Sequence, residues 1–90
     1  MNPDEALVVL MTAGSVEEAA RIARALVEER LAACVNLVPG IRSIYRWQGA
    51  IADDAEVLLV AKTRRASLDA LERRVRELHS YEVPEVLALA

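Results

Sequence analysis

The chain has 90 residues, room for one domain spanning 1–90 and too few for two. Fourteen acidic against eleven basic residues give a net charge of −3, which argues against a duplex nucleic-acid binder, and a hydrophobic content of 54% excludes disorder. No apolar run approaches the ~20 residues a membrane span needs, and the acidic start Asn2-Pro3-Asp4-Glu5 lacks the basic n-region of a signal peptide.

Residues 6–12 (ALVVLMT) form a short apolar run that ends at Ala13-Gly14-Ser15 and predicts a buried strand. Ser15, with Glu18 three residues on, predicts a capping box and a helix starting near Val16. Ala19, Ile22, Ala23, Leu26 and Val27 recur at helical spacing and form one buried stripe, with Glu17, Glu18, Arg21, Arg24, Glu28 and Arg30 outside. Residues 34–38 (CVNLV) predict a second strand, interrupted by Pro39-Gly40. It resumes over 41–47 with Tyr45 and Trp47 on one face and Arg42, Ile44 and Arg46 on the other. Gln48-Gly49 and Asp53-Asp54 carry turn chemistry. Residues 56–63 (EVLLVAKT) are apolar on both faces, as a central strand would be. Ser67 is the expected cap of a second helix that points Leu68, Leu71, Val75 and Leu78 inward and ends at His79-Ser80, ahead of Pro84. Residues 85–90 predict a last apolar strand.

The order β-α-β-β-α-β is that of an α+β, ferredoxin-like sandwich, an antiparallel sheet with two helices on one face. No helix remains to cover the opposite face, and in so apolar a chain another subunit is expected to do so. This architecture hosts unrelated functions, so function is read from sites. An RNA-recognition module would need stacking aromatics on its central strands, where this chain has Val, Leu and Ala. A metal-transport domain would need CxxC in the first loop, which reads Thr12-Ala13-Gly14-Ser15. A phosphate-binding hydrolase would need a Gly-rich cradle, and no nucleophile–base pair supports any enzyme.

Four strings, in order along residues 7–89, resemble the CutA family of divalent-cation tolerance proteins. They are Ala33-Cys34-Val35-Asn36, Tyr45-Arg46-Trp47-Gln48-Gly49, Lys62-Thr63, and His79-Ser80-Tyr81-Glu82-Val83-Pro84-Glu85. The resemblance implies a homotrimer with sheets edge to edge around a three-fold axis, similar in that respect to the PII signalling proteins. It also implies binding of copper or other divalent metal ions, a role in metal tolerance, and no established reaction. The family usually has Pro at the positions of Gly14 and Ser80. Some members have a copper-binding Cys at the position of Met11 and a second His at that of Leu78. Where this sequence stops, the family continues with a Gly, a Tyr-Leu-x-Trp segment and a final helix.

His79, the only histidine, is the candidate metal ligand; the competing role is that of a helix-end residue bonding the last carbonyls. Met11 is a soft thioether that could assist copper or simply fill the core. Cys34, which has no partner for an internal disulfide, reads as packing in an apolar strand rather than as a thiolate ligand, and its compartment as the cytoplasm. Tyr45 and Trp47 either anchor a subunit interface or wall a pocket between subunits. Lys62 either pairs with Glu56, Glu82 or Glu85 or binds an anionic ligand. Tyr81 and Glu82 could complete a site with His79 and Lys62, or anchor the loop. The primary expectation is a non-enzymatic, copper-binding homotrimer. The alternative is a PII-like trimeric sensor or adaptor with a small anionic ligand held between subunits by Lys62, Trp47, Tyr45, Tyr81 and Glu82.

Overall fold

A computed structural model describes residues 2–81 and 84–90. The elements follow the expected order: β1 (Ala6–Ala13), α1 (Val16–Glu28), β2 (Cys34–Trp47), β3 (Ala50–Arg64), a 3₁₀ turn (Arg65–Ser67), α2 (Leu68–Leu78) and β4 (Val86–Leu89). The four strands form one antiparallel sheet in the order β2-β3-β1-β4, so each helix joins a central strand to an edge strand by crossing over the other central strand. This is the ferredoxin-like arrangement.

Strand alternation assigns the two faces. Leu7, Val9, Met11 and Ala13 of β1 and Val57, Leu59 and Ala61 of β3 are buried under the helices. They meet Ala19, Ile22 and Leu26 of α1 and Leu71 and Val75 of α2, the stripes expected from periodicity. The opposite face carries Val8, Leu10, Leu58, Val60, Leu87 and Leu89, with Val38 at its β2 side. No element among the described residues covers it, and Val8, Val38, Leu87 and Leu89 are exposed.

α1 starts as its sequence predicts: the Ser15 hydroxyl accepts the Glu18 N–H. It ends on a Schellman motif, in which Leu31 N–H donates to the Leu26 carbonyl and Arg30 N–H to that of Val27. Arg30 holds the left-handed residue of that motif at φ 62°.

Several expectations are corrected. Asp53-Asp54 is not a turn; both residues lie inside β3, which starts at Ala50. Pro39-Gly40 does not break β2 but forms a bulge in it, with Val38 opposite Leu58 and Ile41 opposite Glu56. Gly40 has φ 78°, a conformation open to glycine at no cost. Ser67 makes no side-chain cap, because a 3₁₀ turn precedes α2. Glu18 is buried rather than outside, for a reason given below.

The bulge and the long β3 have a shared consequence. Only residues 57–64 of β3 pair with β1. The rest of β3 and the second half of β2 form a two-stranded arm closed by the turn Gln48-Gly49, where both residues have positive φ. The seven residues 50–56 carry the arm about 20 Å beyond the body of the sheet. Ile44 and Ile51 project from it at 67% and 63% exposure.

Candidate functional site

The one extra residue of the bulge shifts the alternation of β2. Asn36 and Val38 face the open side before it, and Ile41, Ser43, Tyr45 and Trp47 face the same side after it. Across the arm, Tyr45 therefore sits beside Ala52 and close to Asp54, and its phenol donates to Asp54 Oδ2 at 2.5 Å. That hydrogen bond, with burial second, holds the Tyr45 phenol above its ordinary range.

Tyr81 approaches the same place from the end of α2. Its phenol donates to Glu56 Oε2 at 2.5 Å. Burial pushes the Tyr81 phenol well up, and the Glu56 carboxylate adds to it. Together with Thr12, Trp47 and Glu85 these residues line a groove of about 720 Å³ at the root of the arm. Its polar groups are the carboxylates of Asp54, Glu56 and Glu85, the two phenols, the hydroxyls of Thr12 and Ser43, the Trp47 indole N–H and the Arg46 guanidinium. Arg46, the only cation in its lining among the described residues, belongs to the opposite face of β2 and reaches no carboxylate.

Behind the groove lies a buried polar knot. The His79 side chain is 1% exposed. Its Nε2–H donates to the Thr12 carbonyl at 2.6 Å, and its Nδ1 accepts the Tyr81 N–H at 3.0 Å. These two partners require the Nε2–H tautomer and leave no ring nitrogen free. The ring also lies against Tyr81, with centroids 4.5 Å apart. Glu18 reaches across from α1 and accepts both the Ser80 N–H (2.7 Å) and the Ser80 hydroxyl (3.0 Å). This explains its burial: the carboxylate of the capping-box position ties α1 to the end of α2 instead of returning to Ser15. Burial alone would raise the Glu18 pKa; the two Ser80 bonds, the adjacent His79 ring and the Gly14 N–H outweigh it and bring it below the ordinary value.

The structure thus brings Tyr45, Trp47 and Tyr81 to one groove and places His79 directly behind it. Lys62 lies elsewhere, six residues along β3 from Glu56 and about 20 Å away. There it lines a second groove of about 610 Å³ with Arg30, Arg64, Asp4 and Val27. The expected pairing of Lys62 with Glu56 or Glu85 does not form. Glu82 lies outside the described residues. Met11 is buried in the core, and Cys34 is a half-buried free thiol 3.8 Å from Asn36 Oδ1. Among the described residues no three His, Cys, Asp or Glu side chains converge as a metal site. No helix among them is long and apolar enough to cross a membrane. Of the three arginines of α2, Arg74 pairs with Glu29 and Arg76 with Glu72, and only Arg73 has no carboxylate within 4.0 Å among the described residues.

Sequence reasoning missed Asp54 and Glu56 as groove residues and Glu18 as a buried anchor. A signal for the first two existed: they alternate on β3 with the parity of Val60 and Leu58. Reading it required knowing that β3 begins before Asp53.

The family profile described as CutA1 divalent ion tolerance protein matches residues 7–90. The divalent-cation tolerance protein CutA of Thermus thermophilus is 58% identical over 82 residues, covering 91% of this chain and 80% of its own length. Protein CutA of Homo sapiens is 49% identical over 87 residues, covering 97% of this chain and 49% of its own. The chain thus spans about half the length of the plant and animal relatives it matches. Among solved structures, the divalent cation tolerance protein from Thermus thermophilus superposes with a TM-score of 0.93 at 56% identity, over 94% of this chain and 82% of that one. CutA1 from Oryza sativa does so at 0.91 and 50%, over 93% and 77%.

Proposed function

This chain belongs to the CutA1 divalent ion tolerance protein family, and on that premise we propose that it is a homotrimer that binds divalent metal ions, copper foremost, and catalyses no reaction. The observation that carries the reading is the open sheet face. A chain of this size has little apolar surface to spare, yet Val8, Val38, Leu87 and Leu89 stand exposed side by side with Leu10, Leu58 and Val60 between them. Full burial of each such side chain is worth about 2 kcal/mol, so a second surface that covers the face is favoured. A neighbouring copy is the surface always available at the right concentration and symmetry. Three copies is the number that the family resemblance implies.

The metal part of the reading rests on the family and on the divalent-cation tolerance names of the relatives. The residues of one chain do not by themselves fit a closed copper site. His79 spends both ring nitrogens inside the chain, and the described residues offer no three converging ligands. On this reading copper draws its ligands from more than one copy or displaces an existing hydrogen bond of His79.

Native mass spectrometry with and without a small excess of Cu(II) tests both parts. The expected result is a trimer whose mass rises by whole copper ions. A monomer at micromolar concentration would overturn the assembly, and a trimer that stays metal-free would overturn the copper reading alone.

A further inference from the structure

We propose that copies of this chain meet head to tail: the acidic groove at the root of one arm receives the Lys62 end of the next copy's open face, so that the partner's Lys62 completes the groove. The inference rests on the assembly reading above and adds the direction of the contact and the residues that make it.

The open side of β3 is ordered by charge. Its residues run Asp54, Glu56, Leu58, Val60, Lys62 and Arg64: two acids at the arm, two apolar residues in the middle, two cations at the far end. Val8, Leu10 and Leu87 widen the apolar middle from the neighbouring strands. Glu85 joins the acidic end, in the groove at the root of the arm. Arg30 joins the basic end, in the second groove with Lys62 and Arg64. Asp4 offsets one of those three cations through its pair with Arg64.

The two ends cannot meet within one chain, because about 20 Å of β3 lies between Glu56 and Lys62. Among the described residues Lys62 has no carboxylate within 4.0 Å, and Asp54 and Glu56 have no cation. The carboxylates accept the phenols of Tyr45 and Tyr81 instead, and Arg46, in the same lining, reaches neither of them. A neighbour that covers the face takes these charges out of water, where opposite charges attract more strongly and a charge left unpaired is costly. The apolar middle is non-directional and accepts a neighbour in either sense. The charged ends do not: like ends brought together set acid against acid and cation against cation, whereas opposite ends attract. Each chain carries one end of each sign, so head-to-tail contacts match every end once a ring of copies closes.

Lys62 is the only lysine of the chain, which makes the contact chemically addressable. A carbodiimide activates a carboxyl group, and a lysine amine in direct contact displaces the activating group, released as a urea, to form an amide. Applied to the assembled protein, it should give covalently joined chains on a denaturing gel, with Lys62 bonded to Asp54, Glu56 or Glu85 by peptide mass spectrometry. Lys62→Glu and Asp54→Lys, both at exposed positions, should each weaken self-association by about tenfold or more in sedimentation analysis. The two together in one chain should restore most of it, which unfolding by either change alone would not allow. An assembled parent whose Lys62 links to none of the three carboxylates would overturn the head-to-tail contact and leave the trimer standing. So would single reversals that leave association unchanged, or a double reversal whose losses simply add. A monomeric parent would overturn both readings.

Discussion

Glu18 illustrates how much a single carboxylate does once the chain closes on itself. In the sequence it is the third residue of a helix start; in the structure it is a buried acceptor for the Ser80 N–H and hydroxyl, 62 residues away. Burial acts against its charged form and the donors act for it, and the donors win, so its pKa in the folded protein lies below the unfolded value near 4.5. The sign of the linkage follows. A carboxyl with a depressed folded pKa stabilises the protein above its unfolded pKa, and that stability is lost as pH falls through the folded value. Thermal melts should therefore show a loss of Tm between neutral pH and acid below 4.5 that Glu18→Gln reduces. Ser80→Ala should lower Tm at neutral pH by removing one donor, a change of about 1 kcal/mol. A Glu18→Gln protein with the same acid profile as the parent would show that other carboxylates govern it.

At the scale of elements, local chemistry and tertiary demands agree in most places and conflict in one. Ser15 starts α1 with the side chain that a helix start favours. Its end is less favourable: the Schellman motif places Arg30 in the left-handed region, where a Cβ is crowded and glycine is not. Arg30→Gly should stabilise the protein toward urea by about 0.5–1 kcal/mol, with no change in the slope of the transition. A loss of stability would mean that the Arg30 side chain, which lines the second groove, contributes more than the backbone strain costs. The bulge at Pro39-Gly40 is the element with the widest effect. Without its extra residue, Tyr45 and Trp47 would fall on the helix side of the sheet and the groove would lose its aromatic wall.

For the whole molecule the governing fact is a sheet dressed on one side only. Two helices cover Val9, Met11, Leu59 and their neighbours, and nothing among the described residues covers Val8, Leu87 or Leu89. If copies of the chain cover that face, a charge placed on it opposes assembly without touching the core. Val38→Lys or Leu87→Lys should each reduce the assembled mass in analytical ultracentrifugation to that of one chain while the circular dichroism spectrum stays native. Replacement of Ile51, at the far end of the arm, discriminates further: assembly that survives Leu87→Lys but fails with Ile51→Lys would assign the interface to the arm and not to the sheet.

The amino-acid sequence determined the elements, their order and the buried stripes. Those depend on interactions within a few residues and on periodicity: Ser15 caps, Gln48-Gly49 turns, and Ile22, Leu26, Leu71 and Val75 recur on one helical face. It also carried the family, through strings read in order from Leu7 to Leu89. The tertiary structure alone decided the sites, because each depends on residues far apart in the chain. Strand alternation showed that Tyr45 and Trp47 share a face; only the bulge and the pairing with β3 decided which face, and that Asp54 and Glu56 stand there with them. The same pairing put Lys62 at the other end of the sheet. From sequence His79 read either as a metal ligand or as a helix-end residue bonding the last carbonyls; the return of the chain gave its two nitrogens the Thr12 carbonyl and the Tyr81 N–H instead. Spacing along a strand or a helix specifies faces, but which groups finally meet across about 60 residues is settled by register and close packing.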